Sequence, residues 1–256
     1  MNKISLIISF VVMFVLSGNA QTASSGKAPA ASSGKAPAAS SGKALTKNVR
    51  VGLKIGPSID WASSGSPETE SKAPGMGLNM GLILDYYLTD YFAVSSGLNF
   101  NAFCMMRYRF TDYRIPENFL EETNVWVLRR LKGCNLEIPV KVKGKFNVVD
   151  SFDAFVEVGC GLGFNLKDRC KDEFKFYGRP PFADEFYVDC TNQYRAFQPS
   201  LLFGVGAEYE INSKLSAFVQ LTFDHAFTNA FVKSLEKQTG SIVRNNYIGI
   251  EVGIMH

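Results

Sequence analysis

Asp224 and His225 adjoin in the sequence, and a carboxylate beside an imidazole is the start of a general-base pair. The five cysteines, Cys104, Cys134, Cys160, Cys170 and Cys190, could form disulfides or hold a metal. Gly159, Gly161 and Gly163 have the rhythm of a phosphate-cradling loop. Each possibility stops short of a working site. No Gly-Lys-Ser/Thr ending follows the glycines. The chain has only two histidines and no Cys-x-x-Cys, so no metal site and no cofactor are expected. Asp224 and His225 fall in a segment of period two, where successive side chains point to opposite faces. No serine stands at a matching spacing, so catalysis is not expected. The cysteines are left with disulfide chemistry. Cys170 and Cys190 share one long loop region. Cys104 and Cys134 fall at corresponding ends of two neighbouring strands. Cys160 sits among apolar residues as a small apolar side chain. Reduced thiols throughout are the alternative.

The elements that carry these residues are strands. From Asn48 onward the chain alternates apolar and polar residues over eight segments. Val49, Val51, Leu53 and Ile55 oppose Arg50, Gly52, Lys54 and Gly56. Leu136, Ile138, Val140 and Val142 oppose Glu137, Lys141 and Lys143. Leu215, Ala217, Val219, Leu221 and Phe223 oppose Ser216, Gln220, Thr222 and Asp224. Similar segments cover roughly 76–87, 92–102, 153–165, 197–211 and 247–254. Short turns fall near 88–91, 147–151 and 212–214. Long loops are expected near 62–75, 105–133, 167–195 and 226–245.

Two other regions precede these strands. Residues 1–20 read as a secretory signal: Lys3, then an apolar run from Ile4 to Leu16, then Gly18-Asn19-Ala20 before a cut. Residues 21–47 contain an eight-residue repeat that begins Ala23-Ser24-Ser25-Gly26-Lys27-Ala28-Pro29-Ala30 and recurs from Ala31. This repeat holds no large apolar residue to bury, so it reads as a disordered linker. The domains are thus 1–20, 21–47 and 48–256. No later stretch is apolar for about 18 residues, so an exported chain is either soluble or crosses a membrane as a closed barrel. The net charge of +3 does not point to nucleic acid.

Three features assign the apolar face to lipid. The eight apolar faces contain no Asp, Glu, Lys or Arg. The other face mixes glycine with charges of both signs, as a crowded interior would. If the fourth and fifth strands pair in the simplest register, Lys145 lies opposite Asp153 and Lys141 opposite Glu157, which gives interior ion pairs. Aromatic residues gather at both ends of the apolar face. Tyr86, Phe92, Phe146, Phe152 and Tyr209 flank the short turns, while Trp61, Phe100, Phe164, Phe197 and Phe223 lie toward the long loops. The fold class is therefore an all-β, eight-stranded antiparallel transmembrane β-barrel with short periplasmic turns and long outer loops. It belongs in the outer membrane of a Gram-negative bacterium, with the N-terminal tail in the periplasm. Its expected partners include outer-membrane lipid and lipopolysaccharide. A secreted barrel with an apolar interior would reverse the faces and leave the two aromatic girdles unexplained. Basic and aromatic residues crowd the second long loop (Arg107, Tyr108, Arg109, Phe110, Tyr113, Arg114, Trp126, Arg129 and Arg130). The third holds Phe174, Phe176, Tyr177, Phe182, Phe186 and Tyr187. They either pack over the barrel mouth or contact a partner or glycan.

From about Asn48 to His256 the chain resembles the PorT-like outer-membrane β-barrel family of Bacteroidetes. The resemblance rests on Val51-Gly52-Leu53-Lys54-Ile55-Gly56, Ser96-Gly97-Leu98-Asn99-Phe100, Asn135-Leu136-Glu137-Ile138-Pro139-Val140, Glu157-Val158-Gly159-Cys160-Gly161-Leu162-Gly163 and Leu202-Phe203-Gly204-Val205-Gly206-Ala207-Glu208-Tyr209. Barrels of this class usually finish on an aromatic residue, whereas this sequence ends at His256. Some family members belong to the type IX protein secretion machinery. The resemblance thus implies a non-catalytic scaffold or accessory component of an envelope assembly, with secretion-machinery proteins as partners. A surface adhesin or ligand-binding barrel is the alternative reading, and a lipid-modifying barrel enzyme comes third.

Overall fold

The structure is a computed structural model that describes residues 49–110, 125–176, 182–183 and 186–256. The expected signal and linker lie outside the described residues, as do Tyr113, Arg114 and Tyr177.

Eight strands form one closed antiparallel ring. They are β1 (Val49–Ser64), β2 (Thr69–Tyr87), β3 (Phe92–Phe110), β4 (Val125–Val149), β5 (Phe152–Phe176), β6 (Phe197–Asn212), β7 (Leu215–Ala226) and β8 (Val243–Met255). Each pairs with the next, and β8 closes onto β1 through pairs such as Leu53 with Ile254 and Ile59 with Ile248. Closure leaves no exposed sheet edge in the ring. Among the described residues an α-helix, α1 (Lys233–Thr239), stands before β8 and ends at Gly240, whose φ of 64° suits a left-handed cap. In β3, Gly97 has a φ of 153° and its Cα approaches the Leu82 carbonyl so closely that no Cβ would fit.

The alternation read from the sequence places the side chains. Along β1 the odd positions Val51, Leu53 and Ile55 are exposed, while Lys54, Ser58 and Asp60 are buried. The same holds on β4, where Val140 and Val142 point out and Glu137, Lys141 and Lys143 point in. An apolar belt therefore surrounds a polar lumen.

Several expected loops are in fact strand. β3 runs on to Phe110, β4 starts at Val125, and β5 continues to Phe176, so much of 105–133 and 167–195 is a tall wall above the ring. β1 and β2 likewise extend across most of 62–75. The wall escapes a search for outward apolar alternation because its polarity is reversed. On β3 and β5 bulges shift the phase where this happens: the register slips between Asn101 and Cys104 on β3, and at Leu166 on β5, on either side of Cys134, while β4 keeps its phase and its outward residues themselves change from apolar to basic. Below the bulge, Asn99 faces in; above it, Cys104, Met106, Tyr108 and Phe110 do. On β5 the inward set changes from odd positions such as Glu157 to Asp168, Cys170 and Asp172.

The β4–β5 register also differs from the simplest one. Lys141 lies opposite Gly159, Lys143 opposite Glu157, and Asn147 opposite Asp153. The strands reach farther into the hairpin, leaving a tight turn at Asp150 and Ser151, with Ser151 at φ 66°.

Candidate functional site

The lumen is built in three tiers. The tier near the short turns is a network of opposite charges. Lys54 donates to Glu251 at 2.9 Å, and Glu251 also accepts from Gln220 at 2.5 Å and Thr222 at 3.1 Å. Lys143 meets Asp85 at 2.8 Å and stands 3.8 Å from Glu157, which also binds Lys141. Glu208 takes Arg50 at 2.5 Å, Ser216 at 2.6 Å and Lys145 at 3.4 Å. Lys145 also reaches Asp153 at 2.8 Å. Isolated charges would be costly in this lumen, and the pairing offsets that cost. The Lys141–Glu157 and Lys145–Asp153 contacts form diagonally, because the long lysine stems span the two-residue offset between the expected and the actual register.

The middle tier is acidic. Asp60, Glu137 and Asp224 are all buried. Ser58 donates to Asp60 at 3.2 Å, Asn99 to Glu137 at 2.8 Å and Ser200 to Asp224 at 2.8 Å, so their donors are neutral. They surround a cavity of about 60 Å³, which Asn101 and Tyr247 also line. That is room for a few water molecules. Asp224 and His225 separate as their spacing requires. Asp224 points into the cavity, while His225 stacks against Phe223 with ring centroids 6.5 Å apart and shares a hydrogen bond with Asn246 at 2.5 Å.

The top tier is an apolar cap over the lumen, inside the tall wall. Met106, Tyr108, Phe110, Val127, Leu131, Tyr194, Phe231 and Leu235 form one buried cluster. Arg129 is 2% exposed within it. Its Nε donates to Asp172 at 2.7 Å, its Nη2 to the same carboxylate at 2.5 Å, and its Nη1 to Gln193 at 2.6 Å. Burial pulls the guanidinium's pKa down, but the Asp172 hydrogen bonds and nearby charges outweigh it, so the net shift is upward. Tyr108 and Tyr194 share a hydrogen bond. Burial pushes the Tyr194 hydroxyl up to about 12. At the lower edge of the cap, burial raises the Asp168 carboxyl to about 6, against a hydrogen bond from Asn165 that lowers it.

Cys170 and Cys190 are joined in a disulfide at the edge of this cap, with Cα atoms 6.0 Å apart. Cys104 and Cys134 are not joined, and both are free thiols. The β3 bulge places Cys104 opposite Gly133, so Cys104 turns into the cap while Cys134 sits one position on, on the outward side. Cys160 is exposed on the apolar belt.

Outside, the aromatic residues fall at two levels. Tyr86, Phe92, Phe146, Phe152 and Tyr209 are exposed near the short turns. At the other end Phe197 is exposed and packs on Phe164 at 5.4 Å, Trp61 pairs with Phe223 at 6.3 Å, and Phe100 is half-buried. Beyond this second level the outer surface of β3–β5 becomes basic. Arg109 lies over the Trp126 ring at 4.8 Å, and Lys132 over that of Tyr187 at 4.5 Å.

A closed eight-stranded ring with an ion-paired lumen and an outward apolar belt between aromatic girdles defines an outer-membrane β-barrel. The chain belongs to the outer membrane protein beta-barrel domain family, which matches residues 19–232. Its place is therefore the outer membrane of a Gram-negative bacterium. No curated protein sequence matches it. Among solved structures it is similar to Neisserial surface protein A, at 11% identity over 81% of this chain and 96% of that one, with a TM-score of 0.36. It is also similar to Ail, the attachment invasion locus protein of Yersinia pestis, solved with the heparin analogue sucrose octasulfate (11%, 82% and 100%, 0.35). A third is the outer membrane protease OmpT of Escherichia coli (9%, 83% and 97%, 0.33). These likenesses concern the fold alone.

Sequence reasoning expected Tyr108 and Phe110 either to pack over the barrel mouth, as they do here, or to contact a partner, but it read their segment as loop rather than strand, and it missed the acidic middle tier. The cap residues carry a signal: Met106, Tyr108 and Phe110 alternate with Arg107 and Arg109 in period two. Membrane-facing alternation ended just before them, which made a loop the natural reading.

Proposed function

We propose that this protein is a non-catalytic barrel that serves as a scaffold or accessory component of an envelope assembly, with type IX protein secretion the assembly suggested by the sequence resemblance. The observation that carries this reading is the sealed lumen. Charge pairs such as Lys54–Glu251 cross its lower tier, and an apolar cap covers its top. Eight strands leave an interior that side chains fill, so passage of a solute is not what this barrel offers. What it offers is a rigid wall of β3, β4 and β5 rising above the membrane, and an N-terminal tail expected in the periplasm. Short turns in outer-membrane barrels face the periplasm, which puts the wall outside.

A second reading, a surface adhesin or ligand-binding barrel, draws on a groove of about 250 Å³ on the wall, where Lys72, Arg107, Arg109 and Lys175 surround Trp126. Cations around an exposed indole suit an anionic or glycan ligand. Affinity purification of the tagged full chain from crosslinked outer membranes, with the secreted proteins of a deletion strain analysed in parallel, separates the two. The scaffold reading expects envelope proteins to co-purify and secretion to fall. Unchanged secretion together with loss of host-surface binding would favour the adhesin and overturn the scaffold.

A further inference from the structure

Cross-strand neighbours on the tall wall repel one another. On its outward side Arg107 stands directly opposite Arg130, Arg130 opposite Lys171, and Lys132 opposite Arg169. Lys167 lies opposite Cys134 one step lower. Like charges facing each other across an antiparallel ladder destabilise it. Glu173, 3.9 Å from Arg130, and Asp189, opposite Arg169, offset part of this charge. The strands need none of these cations to pair, and neutral polar residues would serve the wall better.

The height of the ladder is informative. On β5 the belt residues Leu162 and Leu166 are exposed, and Lys167 follows immediately. On β4 the apolar series Val140, Ile138 and Leu136 gives way at Cys134 to Lys132 and Arg130. From Lys167 to Lys171 the strand rises about 13 Å along its axis, or roughly 10 Å in height at the usual barrel tilt. The headgroup layer of one leaflet is of comparable thickness, about 5–8 Å. The cations thus begin where hydrocarbon ends and finish near the top of the headgroups.

We propose that this ladder binds the phosphate groups of lipopolysaccharide in the outer leaflet, on one side of the barrel. Arginine forks grip phosphate oxygens in pairs, and lysines add compact positive charge beside them. Bound phosphates relieve the repulsion between Arg107 and Arg130 and between Lys132 and Arg169. The lipid's acyl chains then run down the neighbouring apolar belt past Leu162 and Val140, both exposed. The occupant is set by this continuity: a phosphorylated lipid satisfies ladder and belt together, whereas a soluble anionic polysaccharide satisfies only the ladder.

The test uses the full chain folded in neutral detergent micelles, titrated with lipid A bearing both phosphates, with enzymatically dephosphorylated lipid A, and with heparin. The phosphorylated lipid should bind at least tenfold more tightly than the dephosphorylated one, and this preference should shrink as salt rises. The triple variant Arg130→Gln, Lys132→Gln, Arg169→Gln should lose the preference while still migrating differently on gels before and after boiling. Should the triple variant not fold, Lys132→Gln and Arg169→Gln taken singly should each weaken binding several-fold, and Lys132→Arg should restore it. Equal binding of the two lipids, an undiminished preference in folded variants, or tighter binding of heparin than of phosphorylated lipid would overturn the proposal.

Discussion

Lys141 grips the carboxylate of Glu157 diagonally, because the residue directly opposite Glu157 is Lys143. Glu157 thus lies between two lysines on one strand, and the lumen at this level is knitted obliquely. Removing Lys141 leaves Glu157 with Lys143 at 3.8 Å. Lys141→Met should therefore destabilise the barrel by about 3 kcal/mol, the typical cost of breaking a buried pair from one side. The double variant Lys141→Met with Glu157→Gln should recover much of the loss. Urea unfolding in lipid vesicles reads both, and equal midpoints for the single variant and the wild type would rule the pair out as a stabilising contact.

Asp224 presents the opposite case. Glu137 is its acidic neighbour, and the hydrogen bond that Asp224 receives comes from Ser200. Replacing it by Asn keeps the shape and the Ser200 contact and removes the cost of burying two carboxyl groups side by side. Asp224→Asn should raise the unfolding midpoint, by about 1 kcal/mol in free energy at neutral pH. A lowered midpoint would show that the middle tier needs that carboxyl group.

Arg129 holds the cap to the wall. Arg129→Met leaves Asp172 buried without its bidentate partner and should cost the cap about 3–5 kcal/mol. The membrane ring below does not depend on this contact. Limited proteolysis should therefore cut the wall and cap of the variant readily, while the fragment that remains still shows heat-modifiable migration. Loss of both together would mean that cap and ring fold as one unit.

Asp168 gives the cap a pH dependence. Its carboxyl is raised by burial from 3.8 to about 6. A raised acid favours the folded cap while protonated, so its contribution is complete below about pH 4 and disappears as pH climbs through 6. The difference is about 3 kcal/mol at most. Protease resistance of the cap should fall between pH 4 and 6.5, and Asp168→Asn should flatten that fall. A profile that rises over this range would contradict the assignment.

The ring was legible because lipid tolerates so little. Val51, Leu53, Val140, Val142, Val219 and Leu221 must all be apolar if they face hydrocarbon, and that demand writes a clean period of two. The wall lacks such a demand. Arg107, Lys132 and Arg169 face out as on any soluble sheet, and bulges shift the phase of β3 and β5 where the change occurs. The Cys104–Cys134 expectation fails for the same reason: one inserted residue turns Cys104 inward. The β4–β5 register was misjudged because the two-residue turn at Asp150 and Ser151 allows both strands to extend farther than the apolar pattern marks.

The bulges on β3 and β5 flank Cys134 at a single level, so the change from oil-facing to water-facing surface happens in one plane. That plane acts as a draught mark. Sinking the barrel by one dipeptide would submerge Lys132 or Lys167 in hydrocarbon, and floating it by as much would strand Leu136 and Leu166 in water. The vertical position of this protein is therefore locked. Where a bilayer is too thick or too thin, the lipid must deform around it, and the barrel will settle where the local thickness already matches its own.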